Sequence, residues 1–209
     1  METYEYGNPN AEDVLIQPVD LHMLCEMEKE AEKIRELTQR QLRLIAVKVE
    51  DWNEELSPWK APAVFKNETF GEGAAKTLQG ILALCREENK RYFIGGYSLA
   101  ALFALWASYQ TERFSGIAAA SPSVWFPGFM EYMNQHEIKS KAVYLSLGDK
   151  EEKTKHPVLS TVGDCIRTGY ERLKEEKIVC TLEWNRGNHF QQPETRMAKA
   201  FAWVLENRP

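Results

Sequence analysis

The chain carries 209 residues, 44% of them hydrophobic and 27% charged, with a formal net charge of −5. That length and composition predict one domain, residues 1–209, with a sizeable hydrophobic core, and they exclude a disordered polymer. The acidic balance argues against nucleic acid or an anionic membrane as partner, because either demands a basic surface.

No apolar run approaches the roughly 18 residues of a membrane-spanning helix, and the acidic opening "METYEYGNPNAEDV" lacks the marks of a signal peptide. Cys25, Cys85, Cys165 and Cys180 lie far apart and form no CxxC pair. They predict reduced thiols, a cytoplasmic location and no cysteine-held metal.

After room for a short first strand, "VLIQPV" (14–19) reads as a buried strand and "LCEMEKEAEKIRELTQ" (24–39) as an amphipathic helix. "LRLIAVKV" (42–49) is a second buried strand. The segment "EDWNEELSPWKAPAVFKNETFGEGA" (50–74) is too irregular for a regular element, and its length suggests a functional loop. Helical spacing resumes over "AKTLQGILALCREEN" (75–89). "YFIGGYS" (92–98) then gives a strand and "LAALFALWASYQ" (99–110) a helix apolar on nearly every face, hence central. "SGIAAASPS" (115–123), "KAVYLSLG" (141–148) and "IVCTLEWNRG" (178–187) read as strands. "FMEYMNQH" (129–136), "STVGDCIRTGYERLKEEK" (160–177) and "TRMAKAFAWVLENR" (195–208) read as helices.

Strands alternating with helices predict a mostly parallel central sheet covered by helices on both faces. Ligands of such sheets bind at the carboxyl ends of the strands. Asp20, the loop from Asp51 to Trp59, Ser98, Ser121 to Trp125, Asp149 to Glu152, and His189 all fall there.

Ser98 sits in "GGYSLA", a G-x-S-x-A pattern between a strand and a helix. A serine on such an elbow occupies strained backbone, so the residues two away on either side must be small, as Gly96 and Ala100 are. The bland reading is a tight turn built from small residues. The sharper one is a nucleophile, and a serine hydroxyl needs a base to take its proton.

Of four histidines, His189 alone follows the last strand, where the base of this chain order belongs. His136 in a helix-like stretch and His156 in a charged loop read as solvated, and His22 precedes the serine. A carboxylate after the strand between Ser98 and His189 would orient the imidazole. Glu151 has the preferred reach, with Asp149 and Glu152 as alternatives in the same "GDKEEK". Two amides must meet a tetrahedral oxyanion: Leu99, next to the nucleophile, and Val19 or Asp20 from the loop after the first buried strand.

In this order the chain resembles the α/β-hydrolases, and within them the esterase group containing esterase D, feruloyl esterases and siderophore esterases. The carriers are "GGYSLAALFALWA", "SPSVWF", "LSLGDKEE" and "GNHF", and the likeness runs from Val14 to the C-terminus. It implies an α/β-hydrolase fold in a minimal version with truncated N-terminal strands. It also implies a nucleophile at Ser98, a base at His189, an acid at Glu151 and a pocket aromatic at Trp125. The departures are Ala100 for the usual glycine and an unfamiliar oxyanion loop.

Trp52 and Trp59 face two readings, an aromatic wall opposite Trp125 or anchors that bury a long loop against the body. The expected activity is cleavage of small-molecule carboxylic esters through an acyl-enzyme, with no metal or organic cofactor. The alternatives are a thioesterase or other acyl hydrolase on the same triad, and a degenerate hydrolase fold kept as a binding module.

Overall fold

Seven strands join one sheet in the order β1-β3-β2-β4-β5-β6-β7: β1 (Glu2–Gly7), β2 (Asp13–Val19), β3 (Arg43–Lys48), β4 (Arg91–Tyr97), β5 (Phe114–Ala120), β6 (Ala142–Gly148) and β7 (Val179–Asn185). The computed structural model describes residues 1–64 and 68–207. Residues 65–67 of the long loop and Arg208 of the closing helix therefore lie outside the described residues. Within this sheet β1, at one edge, runs antiparallel to its neighbour, and the other strand pairings are parallel.

The strands read as continuous apolar runs because both faces are covered. In β2, Val14 and Ile16 join one core while Leu15 and Val19 join the other. The first core takes α4 (Ala74–Leu82), α5 (Leu99–Gln110), α6 (Phe129–Gln135) and α7 (Val162–Glu175). The second takes α2 (Met27–Thr38) and α8 (Pro193–Glu206). Every residue of α5 from Leu99 to Tyr109 is buried, as expected of a helix with no polar face.

Local interactions override periodicity in three places. The helix predicted over 24–39 starts only at Met27, as α2, and is preceded by a separate short helix, α1 (Leu21–Leu24), which Asp20 caps by accepting from the Met23 amide at 2.7 Å. The long loop contains a helix after all, α3 (Trp52–Leu56). Asp51 caps it by accepting the Glu54 amide at 3.0 Å, and Glu55 reaches back to the amides of Glu50 and Asp51. An acid followed three and four residues later by glutamates is the sequence mark of that reciprocal cap. Finally α4 stops at Leu82, seven residues early (82 against 89). The Arg113 guanidinium claims the carbonyls of Cys85 and Glu87 at 2.8 and 2.9 Å, which holds that stretch out of the helix.

One buried group stands apart from these cores. Glu30 on α2 is 2% exposed beneath β2, where it accepts a long 3.4 Å bond from Gln17 Nε2. Burial pushes its carboxyl well above the usual range, and the Gln17 bond offsets this only partly. Among the described residues Gln17 Oε1 and Glu30 Oε1 have no hydrogen-bond partner, a costly arrangement for an ionised carboxylate and an easier one for a neutral acid that carries its own donor. With the folded value raised, the stability from the bound proton is fully present below the unfolded value and is lost as pH rises above it. Between the two values the loss is about 1.4 kcal/mol per pH unit. Urea titrations from about pH 5 to 8 should show Glu30→Gln gaining on wild type as pH rises. Parallel curves for the two proteins would mean that Glu30 folds ionised.

Candidate active site

Ser98 joins β4 to α5 at φ 59° and ψ −119°, a conformation that costs a non-glycine residue about 1–3 kcal/mol. The surroundings hold it there. Its amide donates to Ala120 O at 3.2 Å, and its carbonyl accepts from Leu102 and Ser123 at 3.1 Å each. A Cβ on Gly96 would stand 2.5 to 2.7 Å from the backbone and Cβ of Ala100, so the turn closes only with glycine at 96. Because Gly96 leaves that space open, alanine is accommodated at 100.

The turn after β7 carries His189 to the same edge of the sheet. Its Nδ1 lies 2.7 Å from Glu151 Oε2, with the carboxylate 5% exposed and the imidazole 32%. Burial by itself raises the Glu151 carboxyl. Hydrogen bonds from His189, Ser121 and the Gly148 amide, with the His189 charge, outweigh it and hold the group below its ordinary 4.5. An ionised Glu151 only accepts, so Nδ1 carries the proton and Nε2 keeps the free lone pair.

Of the three acids in "GDKEEK", Glu151 alone meets the imidazole. Asp149 accepts from the Gly187 amide at 2.8 Å and so ties the loop after β6 to the histidine turn. Glu152 pairs with Arg167 at 2.9 Å. Gly148 makes the acid's position accessible: a Cβ there would sit 2.8 Å from Glu151 Oε1 and 2.4 Å from Gly187 O.

Two supporting residues escaped the sequence reading of roles. Arg196 on α8, 2% exposed, sends Nη1 to Glu151 Oε1 (2.9 Å), Tyr97 Oη (3.0 Å) and Ser121 Oγ (3.1 Å). Its Nη2 reaches Asn188 O at 2.9 Å. Ser121, just after β5 at φ 47°, donates to Glu151 Oε1 at 2.8 Å. Tyr97 points to the α8 side and donates to His189 O at 2.7 Å. Ser121 was visible as a residue following a strand. Arg196 carried no signal, being one arginine in an amphipathic helix.

Ser98 borders two cavities. The larger, of about 450 Å³, also holds His189, Glu151 and Trp125. The smaller, of about 190 Å³, is lined by Leu99, Trp125 and Trp52. Leu99 opens α5, where first-turn amides have no intrahelical acceptor. Val19 is fully buried, its carbonyl accepts from Val49 at 2.9 Å, and it lines neither cavity. Trp59 lines neither as well: its Nε1 donates to Pro127 O at 2.9 Å and its ring packs on Phe126 and Tyr132. His22 and His136 are exposed, whereas His156, expected in solvent, is half-buried with Nε2 3.0 Å from Val64 O. Among the described residues no His, Cys, Asp and Glu cluster fit for a metal occurs, and no helix is long and apolar enough to cross a membrane.

A mostly parallel sheet flanked by helices, with a positive-φ serine between strand and helix, defines an α/β-hydrolase fold. No protein-family model matches the chain, and no curated protein sequence matches it. Solved structures do. An IroE-like serine hydrolase from Shewanella oneidensis matches 94% of this chain and 71% of its own length, with a TM-score of 0.75 at 14% identity. The siderophore hydrolase EstA from Aspergillus nidulans matches 98% of this chain and 89% of its own, with a TM-score of 0.70 at 16% identity. A ferulic acid esterase matches 94% and 85%, with a TM-score of 0.64 at 9% identity. The fold expected from the sequence is the fold these proteins share.

Proposed function

We propose that the protein is a serine hydrolase that cleaves carboxylic esters through an acyl-enzyme. The observation that carries this reading is the 2.7 Å contact between His189 and a buried Glu151, in one cavity with a serine held at positive φ. Ser98 Oγ attacks the ester carbonyl as His189 Nε2 takes its proton. The Leu99 amide receives the oxyanion, and Val19, buried away from both cavities, is set aside as the second donor in favour of the Asp20 amide that follows it. His189 then returns the proton to the departing alcohol, and water repeats the cycle on the acyl-Ser98. Glu151 stays ionised, fixes the tautomer and stabilises the imidazolium. The esterase and serine-hydrolase names of the structural neighbours support ester hydrolysis as the reaction class.

Intact-mass spectrometry after fluorophosphonate treatment tests this. One adduct per chain is expected, together with turnover of p-nitrophenyl acetate that a chelator does not change. No adduct and no turnover would leave the elbow as a tight turn and favour the binding-module reading.

A further inference from the structure

Among the described residues, the two cavities share Ser98, Ser123 and Trp125, which line both. His189 lines the larger and not the smaller, whereas Leu99 lines the smaller and not the larger. In acyl transfer the proton that leaves Ser98 Oγ travels through the imidazole to the alcohol oxygen as the C–O bond breaks. The alcohol must therefore lie on the imidazole's side. The acyl group stays bonded to Ser98 Oγ, with its oxygen directed at the Leu99 amide.

We infer that the cavities divide the ester between them, the larger taking the alcohol and the smaller the acyl group, so that the substrate class is a short acyl ester of a bulky, largely apolar alcohol. This rests on Ser98 and His189 acting as proposed above. Size sets the limits. At roughly 30 Å³ for a water-sized group, the smaller cavity's 190 Å³ holds an acyl chain of about six heavy atoms, and the larger cavity's 450 Å³ an alcohol of about fifteen.

Chemistry distinguishes the arms further. Leu159, Val162 and Phe190 make the alcohol arm apolar, and Phe190 is 86% exposed, apolar area that an aromatic alcohol would cover. Lys150 lines that arm and joins no ion pair among the described residues. Glu68 lines the acyl arm beside Trp52, Asn53 and Phe70. Glu151 in the alcohol arm is already matched by His189 and Arg196, so Lys150 draws an anionic group on the alcohol while Glu68 opposes one on the acyl chain.

A two-way substrate series reads this directly. Across p-nitrophenyl esters from acetyl to decanoyl, kcat/KM should fall at least tenfold beyond about six carbons. Across acetates from methyl to benzyl and naphthylmethyl it should hold or rise. Trp52→Ala, or the milder Trp52→Leu if the first does not fold, should move the acyl cut-off to longer chains and leave the ranking of alcohols unchanged. Leu159→Trp should lower the naphthylmethyl-to-methyl ratio at least tenfold, and Lys150→Glu should lower 4-carboxybenzyl acetate against benzyl acetate at least fivefold. Long acyl chains accepted with bulky alcohols refused, or Trp52→Ala changing the alcohol ranking instead, would overturn the assignment. Such a reversal in a protein that still takes one fluorophosphonate leaves the serine-hydrolase reading intact; absence of both adduct and turnover removes both.

Discussion

Ser98→Ala is expected to lower kcat on a p-nitrophenyl ester by about 10⁶-fold and His189→Ala by a similar factor, with the double variant no worse than either. The reason is that the two act as one device. A hydroxyl without a base is a weak nucleophile, and a base without its hydroxyl has nothing to activate. Glu151→Gln should cost less, about 10⁴-fold, because it keeps the shape and removes the charge that fixes the tautomer. Ser123 makes the experiment sharper, since its Oγ lies only 3.4 Å from Ser98 Oγ. Should Ser98→Ala retain more than about one per cent of activity, adding Ser123→Ala decides between two sources. Loss in the double variant would move the nucleophile to Ser123, and persistence would take it away from this elbow. Fluorophosphonate labelling should vanish with Ser98→Ala alone.

What the sequence made legible follows from the range of the forces involved. Strand and helix order was readable because elements buried on all sides write themselves as apolar runs, as in "VLI" of β2 and the stretch of α5 from Leu99 to Ala107. The elbow was readable because its strain needs small residues at fixed offsets, and Gly96 is demanded by a contact only four residues away. Glu151 could not be separated from Asp149 and Glu152 by spacing. Three acids in four positions differ only in what the fold sets opposite them: an imidazole for Glu151, a backbone amide for Asp149 and Arg167 for Glu152. Trp52 and Trp59 were equivalent for the same reason. They part company because α3 turns one toward Ser98 while Pro127 and Tyr132 capture the other. Arg196 is the extreme case, 45 residues from Glu151 along the chain and joined to it only by the packing of α8 under β4, β5 and β6.

That burial makes Arg196 the second large effect. Arg196→Met removes a guanidinium that is 3% exposed on its side chain and leaves the carboxylate of Glu151, 5% exposed, without its cation. Breaking a buried pair on one side costs about 3–5 kcal/mol, so urea unfolding should move by that order. Arg196→Lys keeps a charge without the planar fork that reaches Glu151, Tyr97, Ser121 and the Asn188 carbonyl together. It should therefore fold better than Arg196→Met yet still lose activity, chiefly in kcat, because the arginine orients the acid and the histidine turn without touching the ester. The pH profile separates this positioning role from general destabilisation. Glu151 now sits below its ordinary value, and its orienting charge is present above that folded value and lost as pH falls through it. Removing the neighbouring cation takes one opposing charge from a buried carboxylate, so the folded value should move upward. The acid limb of kcat/KM should then shift to higher pH in Arg196→Met. A variant that is merely less stable would lose activity at every pH with the limb unmoved, and that outcome would reduce Arg196 to a packing residue.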